Sequence, residues 1–205
     1  MLTQNLEHYL RGGQMLDNIL LQIAKNAILD KFDLCVPVNS ISLSHKYPFL
    51  DELGASFVTL HSHHKLRGCI GSIVAHRKLL DDITSNAISA AFADPRFASL
   101  SVDELPSLDI EVSVLTKPEV LQYEDFDDLV SKVKPNIDGL ILNFANYRGT
   151  FLPQVWEQLP NKREFLEHLA YKAGANPSIY AHHPTIYRYC VEAISEKFDA
   201  ILPLK

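Results

Sequence analysis

The chain has 205 residues, of which 47% are hydrophobic and 21% are charged, and its net charge is −6 at pH 7. Apolar residues at this level suffice for one large core or two small ones, which excludes an intrinsically disordered chain. The negative balance excludes the strongly basic surface of a duplex-binding protein, although it is compatible with local basic patches.

Targeting signals and short motifs exclude several further classes. No apolar run approaches the ~20 residues of a membrane-spanning helix, and the first residues lack a signal-peptide core, so we expect a cytoplasmic protein. Cys35, Cys69 and Cys190 are scattered without CxxC pairing, which indicates reduced thiols. The absence of GxGxxG, Walker A, GxSxG and HExxH motifs argues against dinucleotide, P-loop, α/β-hydrolase and zincin chemistry.

The amino-terminal part is predicted to contain an amphipathic helix and a β-hairpin. Apolar residues at helical spacing predict the helix over residues 16–28, and residues 35–54 are predicted as a loop with a short helical turn at 48–53. β-branched and aromatic residues predict strands at 57–61 and 66–74, joined by a polar turn.

The middle of the chain is predicted to contain a helix, a helical turn and a strand. The helix covers residues 78–93, where Asp94-Pro95 ends it. Ser101 and Glu104 have the spacing of a capping box, which predicts one helical turn before Pro106. In the strand at 109–115, alternate residues are apolar, so one face is expected to be buried.

The carboxy-terminal part continues this mixture of elements. We expect a helix at 125–133, a strand at 138–143, a turn at 146–149, a helix capped by Asn161 and ended by Gly174, and a last strand at 186–195. Hairpin-length connections without a repeat or a flexible linker favour an α+β fold with antiparallel sheets over a parallel βαβ series.

The predicted strand Leu66-Arg67-Gly68-Cys69-Ile70-Gly71 carries the most suggestive chemistry. Alternation places Arg67, Cys69 and Gly71 on one face, with Leu66, Gly68 and Ile70 on the other. A guanidinium near a thiol favours the thiolate, so Cys69 is a candidate nucleophile; an inert buried or site-lining thiol is the alternative. The glycines indicate a bulge or the close approach of another backbone or a ligand.

Histidines beside this strand raise the question of a metal. His61, His63 and His64 offer nitrogen donors next to the Cys69 sulfur, but histidines in a hairpin turn are more often solvated. His182 and His183 are interpreted in the same way. We therefore expect neither a metal nor a cofactor, and we keep a metal-dependent role as a third hypothesis.

Other polar positions have two interpretations each. Asp94 and Glu111 could act as bases or pair with Arg67 or Arg96, and pairing is the commoner use of such residues. Gln154 and Trp156 are consistent with a binding wall or, for the Trp, a core anchor. The candidate catalytic residues are Cys69 and Glu111. The candidate substrate-binding residues are Arg67, Gly68, Gly71, Asp94, Arg96, Gln154 and Trp156.

These motifs together resemble those of the AmmeMemoRadiSam system protein A family, the bacterial and archaeal relatives of the human AMME-syndrome candidate protein. They occur in family order and cover nearly the whole chain. They are Leu66-Arg67-Gly68-Cys69-Ile70-Gly71, Asp94-Pro95-Arg96-Phe97, Ile110-Glu111-Val112-Ser113-Val114-Leu115, Gly149-Thr150-Phe151-Leu152-Pro153-Gln154-Val155-Trp156 and Lys172-Ala173-Gly174.

The resemblance implies one AMME-type domain over residues 1–205. It would consist of two unequal subdomains, each an antiparallel sheet with flanking helices, and a cleft onto which the six-residue motif faces. It also implies a pathway shared with a Memo-like protein and a radical SAM enzyme, without a settled activity. The chain departs from the family at His63-His64, where relatives tend to carry Gly or acidic residues, and at residues 175–181.

Two functional hypotheses follow. The first is an enzyme or enzyme accessory in which Arg67 holds an anionic group and Cys69 acts as nucleophile or thiol donor. The second is a non-catalytic adaptor that binds a protein or a single-stranded nucleic acid through Arg67, Arg96, Phe97 and Trp156. A small-molecule substrate is compatible with the first hypothesis.

Overall fold

The chain divides into two compact units. The computed structural model describes residues 18–35 and 40–204, so the predicted helix start at Leu16 lies outside the described residues. One unit consists of the described residues up to Leu115 together with those from Glu192 onward, and the other consists of Thr116–Val191.

The first unit has helices on one face of an antiparallel sheet. Its α-helices are α1 (Ile19–Asp30), α2 (Ser40–Lys46) and α3 (Leu79–Phe92). Its strands are β1 (Leu53–Gly54), β2 (Ser56–Ser62), β3 (Lys65–Gly71), β4 (Arg77–Lys78), β5 (Leu108–Leu115) and, from the carboxy-terminal part, β10 (Val191–Lys197). Strands β1 and β4 pair by themselves, and the other four form a sheet in the order β10-β5-β2-β3.

The core of this unit lies between the sheet and helices α1 and α3. Val58 and Leu60 of β2 and Ile110 and Val112 of β5 are completely buried, because alternate side chains of a strand share one face. Apolar residues of α1 and α3 complete the same cluster. The burial that alternation predicted for β5 is confirmed.

The helix α3 approaches the outer strand β3 very closely at Gly68. A Cβ atom placed on Gly68 would lie 2.1 Å from the carbonyl oxygen of Ala90. Only glycine allows helix backbone and strand backbone to come this near. The predicted close approach of another backbone is therefore found at this glycine.

The second unit has its own sheet and core. It contains β6 (Glu119–Val120), α4 (Phe126–Lys132), β7 (Gly139–Phe144), β8 (Tyr147–Phe151), α5 (Lys162–Lys172) and β9 (Thr185–Tyr189), with the antiparallel strand order β6-β9-β7-β8. Trp156 stacks on Phe165 of α5 with ring centroids 3.6 Å apart, and its indole N–H donates to the carbonyl of Asp138 at 2.8 Å. These contacts make Trp156 the centre of this core.

The predicted α+β class with antiparallel sheets and flanking helices is confirmed. The β-hairpin, the capping box at Ser101 and the helix capped by Asn161 are confirmed as well. In the part of the chain that the structure describes, no helix is long and apolar enough to cross a bilayer.

Three predicted elements are wrong. The loop predicted from residue 35 contains α2, a helix too short for its periodicity to stand out. The turn predicted at 146–149 lies at residues 145–146, because Phe144 already pairs with Tyr147, and residues 147–149 belong to β8. The single last strand is two strands, β9 and β10, which belong to different sheets and are separated at Cys190.

We predict that Gly68→Ala lowers the free energy of unfolding by about 1–3 kcal/mol, because the new methyl group forces strand and helix apart. Urea unfolding measures the change. Ser99→Ala, at an exposed position in the loop after α3, is the control and should have no measurable effect. A Gly68→Ala variant as stable as wild type would contradict this account of the close approach.

Candidate functional site

The sheet face of the first unit that points away from the helices carries the candidate site. Thr59 of β2 lies directly opposite Cys69 of β3 on one side and Glu111 of β5 on the other. Residues opposite each other on neighbouring strands have side chains on the same face. Cys69, Thr59 and Glu111 therefore form one row across three strands, and each of the three is half-buried.

The thiol of Cys69 accepts a hydrogen bond from the Thr59 hydroxyl, with Oγ1 3.3 Å from Sγ. A hydroxyl donor stabilises a thiolate more than a thiol. Ser113, the next residue of β5 on this face, donates to Glu111 over 3.4 Å. The row thus contains a partly exposed sulfur, a hydroxyl donor and a carboxylate.

A β-bulge at Arg67 modifies the predicted alternation. Gly68 pairs with Leu60, whereas Leu66 pairs with His61, so Arg67 has no partner on β2. The expectation of a bulge next to the glycines agrees with this register. The expected position of Leu66 is wrong, because pairing with His61 places it on the Cys69 face, where it is 41% exposed.

The guanidinium of Arg67 is directed at Glu104 and not at Cys69. Its Nε and Nη2 atoms donate to the two carboxylate oxygens at 2.7 and 3.1 Å, and the side chain is only 15% exposed. These bonds, and those from Ser101, lower the pKa of Glu104 to about 2. The predicted pairing of Arg67 with the thiol is therefore wrong, since its charge is neutralised by Glu104.

Asp94 and Arg96 instead surround the backbone of Cys69. The Asp94 carboxylate accepts from the Cys69 N–H at 2.9 Å and from Nε and Nη2 of Arg96 at 2.9 and 2.6 Å. Nη2 of Arg96 also donates to the Cys69 carbonyl at 3.1 Å. Hydrogen bonds from Arg96, and then from the Cys69 amide, hold the pKa of Asp94 well below its ordinary range. Of the two interpretations of Asp94, the geometry supports pairing, with Arg96.

The remaining candidates are distributed over both units. Gly68 serves helix packing, and a Cβ on Gly71 would lie 2.2 Å from the Phe57 ring. In the second unit, Gln154 is exposed. Trp156 is only 1% exposed, and this burial supports its interpretation as a core anchor. The cleft between subdomains stays a prediction.

His63 and His64 lie at the turn of the hairpin between β2 and β3. His63 and His64 are exposed and occupy the two turn positions with φ of 49° and 63°, a conformation that favours Gly, Asn or Asp. Within residues 18–35 and 40–204, no group of three or more His, Cys, Asp or Glu side chains is arranged to hold a metal ion. The two histidines at this turn therefore have a strained backbone conformation.

Sequence reasoning missed Thr59 and a buried polar network. Asp82 of α3 is completely buried and accepts from Ser56, Ser72, Arg77 and Asn86. A carboxylate on the apolar face of a predicted helix is the signal that could have revealed this network. Thr59 could have been found only by fixing the register of the hairpin.

The chain is similar to several known proteins. A family model described as AMMECR1 matches residues 21–194. The chain belongs to the AMMECR1 family. It is 37% identical over 159 residues to protein MJ0810 of Methanocaldococcus jannaschii, covering 73% of this chain and 77% of that protein. It is 39% identical over 168 residues to protein LS215_2104 of Saccharolobus islandicus, covering 78% and 72%.

Among solved structures, this AMMECR1-family chain is similar to the uncharacterised protein PH0010 of Pyrococcus horikoshii, with a TM-score of 0.66 and 30% identity. The match covers 88% of this chain and 91% of that one. The family resemblance seen in the motifs is thus confirmed, and none of these relatives is named for an activity.

We predict a pH-dependent contribution of Glu104 to stability. Its pKa of about 2 in the folded protein lies below the ordinary 4.5, so the stabilisation is fully present above pH 4.5 and is lost as the pH falls towards about 2. The stability difference between wild type and Glu104→Gln, measured by urea unfolding, should shrink over this interval. Asp103→Asn, which removes an exposed neighbouring carboxylate, is the control. A difference that stays constant from neutral pH to pH 2 would contradict the Arg67–Glu104 assignment.

Proposed function

We propose that this AMMECR1-family protein is an enzyme, or the accessory of one, that transfers a group through a covalent bond to Cys69. The observation that carries the proposal is the row of Cys69, Thr59 and Glu111 on one half-exposed sheet face. A sulfur with a hydroxyl donor at 3.3 Å on the neighbouring strand and a carboxylate on the strand beyond it has the components of nucleophilic and general-base catalysis.

The chemical step assigns one role to each side chain. The Cys69 thiolate attacks an electrophilic carbonyl carbon, a C–S bond forms, and the bond from that carbon to the leaving group breaks. Thr59 donates its hydrogen bond to the thiolate before attack. Glu111 then accepts a proton from the water or other acceptor that cleaves the thioester and regenerates Cys69.

Arg67 has no part in this step, because Glu104 already neutralises it. The same argument weakens the adaptor hypothesis. Arg67 and Arg96 flank the Phe97 ring, with guanidinium carbons 5.9 and 5.4 Å from its centroid, but both charges are paired with carboxylates. A nucleic-acid surface requires cations that are free to meet phosphates.

Cooperation with a Memo-like protein and a radical SAM enzyme, in the cytoplasm, is part of the proposal. It rests on the family resemblance and on no contact in the structure. A thiol that carries an activated group is suited to pass that group between enzymes of one pathway.

The first test is the alkylation rate of the thiols in the intact protein. We expect Cys69 to react with iodoacetamide roughly tenfold faster than Cys35 at neutral pH. Burial, and then the nearby Asp30, raise the pKa of the Cys35 thiol, so Cys35 is an internal reference that should be slow. Mass spectrometry of the peptides measures both rates.

Two variants identify the cause of the rate. Thr59→Val removes the hydroxyl and keeps the shape, so it should slow Cys69 labelling about fivefold, which corresponds to a hydrogen bond of about 1 kcal/mol. Thr84→Val, which removes a helix hydroxyl bonded to the Leu80 carbonyl in the same unit, is the matched control. A Cys69 that labels no faster than a model thiol would remove the nucleophile role.

A second test uses p-nitrophenyl acetate as the probe. Wild type should release a burst of about one p-nitrophenolate per chain as Cys69 is acetylated, followed by slower turnover. Glu111→Gln should keep the burst and slow turnover at least ~10-fold, because the general base is lost. Asp109→Asn, on the same face of β5, should change neither phase. A burst that persists in Cys69→Ser, or unchanged turnover in Glu111→Gln, would contradict these roles.

A further inference from the structure

The outer strand β3 has an unusual arrangement at its free edge. Because β3 is the last strand of the sheet, alternate N–H and C=O groups point away from β2 and have no strand partner. At Cys69 both groups are bonded, the N–H to Asp94 at 2.9 Å and the C=O to Arg96 at 3.1 Å. At this one residue, the segment after α3 thus makes the two hydrogen bonds that a neighbouring strand would otherwise make.

The two residues that make these bonds also hold each other. Arg96 donates Nε and Nη2 to the two carboxylate oxygens of Asp94, and its backbone N–H donates to the same carboxylate at 3.1 Å. The Asp94 side chain is 2% exposed, whereas that of Arg96 is 52% exposed. A buried carboxylate therefore fixes an arginine that reaches outward along the edge of β3.

We propose that Asp94 and Arg96 are positioning residues for Cys69: Asp94 fixes its backbone through the N–H, and Arg96, bonded to its carbonyl oxygen, holds a positive charge on the side of the strand edge where the thiol reacts. This inference rests on the proposed function of Cys69. It replaces the substrate-binding role expected for both residues from the sequence.

Electrostatics support the role of Arg96. The pKa of its guanidinium is raised, first by the hydrogen bonds to Asp94, which outweigh the opposing effect of burial, and then by smaller contributions from the charge of Asp94 and from Cys69. The bond from Nη2 to the Cys69 carbonyl oxygen at 3.1 Å holds this charge beside the residue that carries the sulfur.

Other charged and titratable groups face the same region. From β2 comes His61, and from β5 come Asp109 and Glu111, each on the Cys69 face. Arg67 is neutralised by Glu104. Arg96 is thus the cation that contacts the Cys69 backbone, and His61, Asp109 and Glu111 are the other charged or titratable groups on the Cys69 face.

The first measurement is the pH dependence of Cys69 alkylation in the full chain. Arg96→Gln should shift the midpoint of the profile upward by about half to one pH unit, because the thiolate loses a neighbouring positive charge. Arg96→Lys should recover part of the shift, since it keeps the charge without the fork geometry. Lys78→Gln removes a cation from an exposed pair with Asp51 in the same unit and should leave the midpoint unchanged.

The second measurement is hydrogen exchange at the Cys69 amide. Asp94→Ala removes the acceptor of this N–H, so exchange should accelerate at least ~10-fold, while amides in the buried strand β5 keep their rates. If Asp94→Ala does not fold, Asp94→Asn replaces it, since it weakens the charge-assisted bond and keeps the shape.

The inference is overturned if the Arg96→Gln profile coincides with that of wild type, or if the Cys69 amide of the folded Asp94 variant exchanges at the wild-type rate. A purely structural role of Arg96 would lower stability without moving the midpoint. Both readouts are differences from wild type, so they decide the inference even if the absolute labelling rate and the p-nitrophenyl acetate burst refute the proposed function.

Discussion

A bulge of one residue at Arg67 determines which way Cys69 points. The turn pairs His61 with Leu66, and an uninterrupted register would place Cys69 opposite Val58, which faces the core. A slip of one residue turns every following side chain to the other face of a sheet. Because Arg67 is skipped, Cys69 lies opposite Thr59 instead. The half-buried thiol, its hydroxyl donor and its alignment with the carboxylate on β5 all depend on this one extra residue.

The same bulge fixes where helix and strand can meet. With Cys69 turned outward, Gly68 faces α3, and the missing side chain lets the Ala90 carbonyl come close to the strand. The end of α3 is thereby held near the edge of β3, so the residues that follow, Asp94 and Arg96, reach the backbone of Cys69. Helix packing on one face of the strand and hydrogen bonding at its edge are therefore parts of one arrangement.

The sequence predicts local features of this site well and its long-range pairing poorly. Alternation identified the faces of β5, and Ser101 with Glu104 was recognised as a capping box, because each depends on residues within a few positions of one another. The partner of Arg67 was not predicted, since Glu104 is 37 positions away and several carboxylates were equally plausible.

Thr59 shows the same limit in a different form. Its importance follows from the register of the hairpin, and the bulge changes that register by one residue. The glycines indicated that a bulge or a close contact was present, but they could not specify that Arg67 was the unpaired residue. Short elements such as α2 and the break at Cys190 were missed because too few residues carry their periodicity.

The ion pairs of Arg67 and Arg96 determine which of the two positive charges acts on the sheet face that carries Cys69. Of the two arginines near Cys69, Arg67 is 15% exposed and bonded through two nitrogens to Glu104. Arg96 is 52% exposed and bonded to Asp94, whose carboxylate is almost completely buried. A solvent-exposed guanidinium keeps part of its positive field towards a neighbouring sulfur, although its partner and solvent both screen that field. Arg67, two positions from Cys69 in sequence, thus has a structural role in its ion pair with Glu104. Arg96, 27 positions away, is the arginine that reaches Cys69, and its bond to the Cys69 carbonyl holds it there.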